Sequence, residues 1–139
     1  MEERLVFSLN CEEIEKLLFE YYFGSRENKE QISRTLKMNY EITKKQSLGS
    51  TVTNIVFILS YEEASEILET NITQQLVIEL KDLNDIINEK FSTQGFEIDY
   101  LEENIKYSFD EKHSLRYLKY NLKRKEEVKV KKRGWKRHV

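Results

Sequence analysis

Lys112, Arg116, Lys119 and Lys123 recur at spacings of four, three and four residues. Placed on a helix, that spacing puts all four on one narrow face, about one turn apart. A rigid row of cations can meet successive phosphates of a nucleic acid, each adding a salt-dependent increment through counterion release. The pattern continues in 128–139, where Lys129, Lys131, Lys132, Arg133, Lys136 and Arg137 occur without an acid. Trp135 lies among them, and its indole can stack on a base or insert at a lipid headgroup. The segment reads as an arm that orders on binding. The bland alternative is a solvated helix face followed by a solubilising tail that pairs with acidic surface elsewhere. Contact with nucleic acid or nucleoprotein is the preferred reading, and a membrane surface is the least favoured.

Other residues capable of chemistry offer less. The histidines are His113 and His138, and no histidine pair or Cys–His spacing suggests zinc. The glycines stand singly at 24, 49, 95 and 134, so no glycine-rich loop is available to cradle a phosphate. Cys11 falls at an expected helix start, which would lower a thiol pKa, but Glu12 and Glu13 oppose that effect, and a small buried filler is expected. Glu79-Leu80-Lys81, after Leu76-Val77-Ile78, has the Glu-x-Lys form of the strand-borne half of a magnesium-dependent nuclease site. Such a site also needs an upstream acid, usually Asp, and the first Asp in the chain is Asp82. Glu62, Glu63, Glu66 and Glu69 could substitute only from an expected helix. The expectation is therefore a non-enzymatic protein with no cofactor and no catalytic metal, a nuclease being the distant alternative.

Charge is segregated along the chain. Residues 1–110 hold 11 Lys+Arg against 22 Asp+Glu, while 111–139 hold 12 against 3, so the overall charge of −2 conceals an acidic body and a basic end. Such asymmetry points to a polyanionic partner. The acidic body also admits a protein partner: a small regulatory protein, inhibitor or adaptor could present its carboxylates to a host nucleic-acid-processing protein. Proline is absent, where average usage would give about seven. With the abundance of Lys, Glu, Ile and Asn, this composition suits an AT-rich genome, such as a low-GC bacterium, its phage or a mobile element. A single Cys excludes an internal disulfide, and no apolar run resembles a signal peptide or membrane span, so the cytoplasm is expected.

Several elements must position these groups. Leu5, Phe7 and Leu9 alternate as a short strand. Asn10 with Glu13 forms a capping box for a helix whose stripe is Ile14, Leu17, Leu18 and Tyr21, ending near Gly24. A short helical turn is expected around Gln31-Ile32. Leu36, Met38, Tyr40 and Ile42 alternate with polar residues as a strand, and 44–50 reads as a hairpin loop in which Gly49 can take a positive φ. Residues 51–59 are apolar on both faces toward their end, as in a central strand. Ser60 and Glu63 suggest a second capping box and a helix to Leu68. Residues 74–91 fit either a helix, with Leu76, Leu80, Leu83, Ile87 and Phe91, or a strand ending before Asp82; helix is preferred. Phe96, Ile98 and Tyr100, then Ile105, Tyr107 and Phe109, read as a hairpin around 101–104. Asp110 would cap a last helix over 111–127, held by Leu115, Leu118 and Leu122.

The expected fold is α+β: an antiparallel sheet with helices on one face, in the β-α-β-β-α-β order of ferredoxin-like folds, plus an extra strand and a C-terminal helix. The expected organisation is an acidic body over 1–110, a basic helix over 111–127 packed on it, and a basic tail over 128–139. An aromatic RNA-binding platform is disfavoured, because Lys37, Asn39, Glu41, Thr43, Glu97, Asp99, Lys106 and Ser108 occupy the exposed strand positions. The aromatics Phe7, Tyr40, Tyr100, Tyr107 and Phe109 share faces with aliphatic residues and read as core.

Overall fold

A computed structural model describes residues 4–99, 106–109 and 114–125. The first strand, β1 (Arg4–Asn10), leads directly into helix α1 (Cys11–Phe23). The cap between them is the expected one: Asn10 Oδ1 accepts from the Glu13 N–H at 2.8 Å, and Glu13 Oε1 accepts from the Asn10 N–H at 3.0 Å. Two of the orphan donors at the helix start are thereby satisfied. Ile14, Leu18 and Phe23 are buried, whereas Tyr21 is exposed and donates its hydroxyl to Glu89. The short helix α2 (Lys29–Thr35) follows, anchored by fully buried Ile32.

Three long strands then form an antiparallel meander: β2 (Lys37–Ser47), β3 (Ser50–Ser65) and β4 (Thr70–Glu79). The β2–β3 turn is just Leu48-Gly49, with φ of +48° and +83°. Two successive positive φ values match the twist of the flanking strands, and Gly49 takes its value without steric cost. Strand β3 is central, as its two-faced apolar content implied; Ile55, Phe57, Leu59 and Tyr61 point into the core.

The helix expected after Ser60 does not form, because β3 continues through Ser65 with its inward alternation reaching Tyr61. Tyr61 packs edge-on against Phe23 at 4.8 Å, and Glu63 accepts from Arg26 at 2.6 Å and from Asn28 and Gln74 at 3.4 Å. Those partners replace the local cap that Ser60 and Glu63 suggested. Residues 74–91 divide between both readings: β4 ends at Glu79 and helix α3 (Leu80–Ser92) begins at once, burying Leu83, Ile86 and Ile87.

The second sheet is also antiparallel. It contains β1, β5 (Phe96–Ile98), β6 (Lys106–Phe109) and β7 (Leu115–Arg124). The expected C-terminal helix is therefore a strand over 115–124, and it lies at the sheet's centre rather than on the outside of a finished body. Leu118, Tyr120 and Leu122 are fully buried while Lys119, Asn121 and Lys123 face the other way. This period of two overrides the helical stripe of Leu115, Leu118 and Leu122. Strands β5 and β6 do not pair as a hairpin. Both run antiparallel to β7 along one edge, Ile98 opposite Leu122 and Lys106 opposite Lys119. Seven residues thus separate β5 from β6 where two separate their partners.

The α+β class stands, but the strands form two sheets, β1-β7-β5/β6 and β2-β3-β4, rather than one sheet in ferredoxin-like order. One continuous core draws on both sheets and all three helices. Helices α1 and α3 cover the inner face of the β7 sheet, where Phe7 packs on Phe91 at 4.8 Å and stacks on Tyr120 at 5.5 Å.

Candidate nucleic-acid interface

The outer face of the β7 sheet collects the described basic residues that the sequence singled out. Lys119 and Lys123 sit four residues apart, about 13 Å at the usual strand rise. Arg116 joins them through a bulge. Ser108 pairs with Tyr117 but Phe109 pairs with Leu115, leaving Arg116 as an extra residue in β7. Without the bulge, alternation would turn Arg116 inward with Leu118; instead Leu115 is buried and Arg116 exposed. Three of the four cations expected on a helix stripe thus share a strand face for a different geometric reason. Lys112, Lys129, Lys131, Lys132, Arg133, Trp135, Lys136 and Arg137 lie outside the described residues, as do His113 and His138.

Neighbouring strands add to this face. Register places Arg4 beside Lys123, Val6 beside Asn121 and Ser8 beside Lys119 on one side of β7. On the other side Glu97 stands beside Lys123 and Lys106 beside Lys119. Arg4 reaches across β7 to Asp99, with Nη1 2.7 Å from Oδ2, and Asp99 is only 2% exposed. Strand alternation alone puts Asp99 among the exposed positions, and the structure corrects that expectation. Its burial is compensated by this charge-assisted bond, and its N–H is held by the Asn121 carbonyl at 3.0 Å. Lys123 approaches Glu97 at 4.0 Å. Arg116 and Lys119 make no ion pair among the described residues. Farther along, Arg124 lies over the Phe96 ring at 4.8 Å and Lys125 donates to Ser92 Oγ at 2.8 Å.

The charge asymmetry along the chain becomes an asymmetry between layers. The four strands of the β7 sheet carry six Lys or Arg and one Glu, whereas α1 and α3 on its inner face carry seven acids and three Lys. Glu12, Glu13, Glu20, Asp85 and Glu89 are exposed on those helices. The sequence already held the signal for the basic face, in the alternation of Lys119 and Lys123 with Leu118, Tyr120 and Leu122. Nothing local announced Arg4, because its pairing with Asp99 spans 95 residues.

The other candidates stay apart. Cys11 is partly buried and its Sγ–H lies 3.5 Å from the Leu115 carbonyl; burial first, and then the Glu15 carboxylate, push its pKa up. That thiol is a poor nucleophile. Glu79 ends a strand while Lys81 lies in the first turn of a helix, and the two side chains pair with each other at 3.6 Å in solvent. The two residues therefore do not project from one strand as the Glu-x-Lys pattern requires. Among the described residues no three His, Cys, Asp or Glu side chains converge as a metal site. Of the aromatics expected in the core, Phe7 and Tyr40 pack against it, and Tyr40 Oη accepts from the Leu115 N–H at 2.6 Å; the side chains of Tyr100, Tyr107 and Phe109 lie outside the described ones.

No known protein family, curated protein or solved structure matches this chain. Among the described residues, no helix is long and apolar enough to cross a membrane.

Proposed function

We propose that this is a small non-enzymatic nucleic-acid-binding or nucleoprotein-binding protein, which meets phosphates through the outer face of β7 and the basic segment that follows it. The observation that carries the reading is the set Arg116, Lys119 and Lys123 on one face of a rigid central strand, with Arg116 and Lys119 unpaired among the described residues. A cation already neutralised by a carboxylate must exchange that partner for a phosphate, so these two contribute most. Lys129 to Arg137 follow in the chain after Glu126 and Glu127 and carry the same sign of charge. The face carries Val6, Ser8 and Asn121 beside the cations and no exposed row of aromatics among the described residues, so binding to the phosphate backbone dominates over base stacking. Weak sequence preference follows.

The test is fluorescence anisotropy of labelled single- and double-stranded DNA and RNA across a salt series. Every phosphate that a cation neutralises steepens the slope of log K against log salt by about 0.9 on duplex and about 0.7 on single strands. Arg116→Ala with Lys119→Ala therefore makes the slope shallower by about 1.8 or about 1.4. A chain ending at Lys125 binds more weakly still. Binding that is insensitive to salt, or to both changes, overturns the proposal.

The exposed acids on α1 and α3 favour a second reading, an inhibitor or adaptor that docks this layer on a basic protein of phage or host. Its mark is a one-protein complex that survives nuclease treatment and is lost on neutralising Glu12, Glu20 and Asp85.

A further inference from the structure

Four sheet edges are open among the described residues, and three of them are guarded. Strand β2 carries Lys37, Glu41, Lys44 and Lys45 along its length. The edge on that side of the other sheet is shared by β5 of three residues and β6 of four, and β1 is only seven residues long and starts with Arg4. Strand β4 differs. It is ten residues long, has no charge from Thr70 to Ile78, and contains neither Pro nor Gly nor a bulge in its pairing with β3. Natural edges of that length are normally blunted by charge, Pro or a bulge, because their unpaired N–H and C=O groups template another strand. Val77, on the solvent face of β4, is 57% exposed beside half-buried Val56 and Ile58.

We infer that β4 is a self-association edge, across which a second copy of this chain pairs antiparallel to join two three-stranded sheets into one of six strands. The sequence of β4 is self-complementary in this arrangement. A twofold axis normal to the sheet keeps each face on its own side, so only residues of like parity can pair. Centred on Gln75, the register sets Ile72 against Ile78 on the inner face and Val77 against Thr73 on the outer one. Gln75 then faces its own copy and Glu79 meets Asn71. These outer pairs place no like charges opposite one another, and Val77 with Thr73 joins two β-branched side chains. The neighbouring register, centred on Gln74, sets Glu79 against Glu69 and is disfavoured by repulsion. The register centred on Leu76 sets Val77 against Gln75 and Ile78 against Gln74, a poorer match than Val77 with Thr73 and Ile72 with Ile78, so the axis is placed at Gln75, whose exposed side chain provides a direct test.

Sedimentation equilibrium of the full chain measures mass against concentration. The expected result is a concentration-dependent rise toward twice the 16.8 kDa of one chain. Gln75→Lys and Gln75→Glu, each changing one exposed side chain, should stay monomeric at concentrations where the parent dimerises. An equimolar mixture of the two should recover the doubled mass, because lysine then faces glutamate. Unchanged circular dichroism in both variants separates failed association from failed folding. A parent chain that is monomeric at several hundred micromolar overturns the inference. So does a dimer that either variant leaves intact, or a mixture that fails to reassociate.

Discussion

Tyr120 is the residue whose replacement most sharply tests the central position of β7. It is fully buried, stacks on Phe7 with ring centroids 5.5 Å apart and 20° between planes, and donates its hydroxyl to Asn84 Oδ1 at 3.0 Å. Tyr120→Phe keeps the ring and removes the hydroxyl, a loss of about 1 kcal/mol for one intramolecular hydrogen bond. Tyr120→Ala removes the ring as well and leaves a cavity between β1, β7 and α3, at about 3–5 kcal/mol. The stacked pair with Phe7 accounts for about 1 kcal/mol of that. For a domain of this size each kcal/mol moves the thermal midpoint by about 3 °C, so the two variants should melt about 3 °C and about 10–15 °C below the parent. Asn121→Ala, on the outer face, should fall within about 0.5 kcal/mol of the parent. On a helix over 111–127, Tyr120 would flank the solvent-facing basic stripe, and its truncation would cost no more than Asn121→Ala. Thermal and urea unfolding followed by circular dichroism distinguish the cases. A Tyr120→Ala loss below about 1 kcal/mol, or an Asn121→Ala loss equal to it, would refute the strand assignment and the packing built on it.

Other perturbations probe separate parts of the fold. Leu48 holds a φ of +48° with a fully exposed side chain, so Leu48→Asn should stabilise the β2–β3 turn by about 1 kcal/mol and raise the melting temperature; a fall would contradict the turn geometry. Glu63→Ala removes the acceptor shared by Arg26, Asn28 and Gln74 and should cost about 2 kcal/mol in urea unfolding, whereas a helical Glu63 on the surface would be nearly silent. Cys11 has its pKa raised by burial and by Glu15, so at pH 8 iodoacetamide should alkylate it more slowly than a free thiol in the unfolded chain. The same shift means the folded state holds its proton where the unfolded thiol has released it. Stability from this group is present below the ordinary thiol pKa and declines as pH rises through the folded one. A Cys11→Ser variant should lack that part of the alkaline decline.

How much of this protein is legible in its residues depends on how local each decision is. The β1–α1 junction is readable because Asn10 and Glu13 satisfy each other within four residues, and so is the β2–β3 hairpin around Gly49. The two apolar faces of 51–59 correctly imply a strand with neighbours on both sides. Three segments are not readable, for one reason: each carries a pattern compatible with both periods. Ser60 and Glu63 resemble a helix start, yet β2 and β4 flank Leu59 and extend the strand, and Tyr61 meets Phe23. Leu76, Ile78 and Leu80 alternate while Leu76, Leu80 and Leu83 step like a helix, and the break at Glu79 uses both. At the C-terminus, Leu118 and Leu122 serve either period, and Tyr120 decides only because Phe7 is there to stack on it.

The separation of charge is likewise set by the amino-acid sequence, but its direction in space is not. Composition alone divides an acidic 1–110 from a basic end. Only the insertion of β7 between β1 and the β5/β6 edge turns that division into a basic sheet face backed by acidic helices. That insertion brings together strands more than 90 residues apart, a loop closure that no short-range pattern encodes and that the β1–β7 ladder, the shared core and the Arg4–Asp99 pair stabilise.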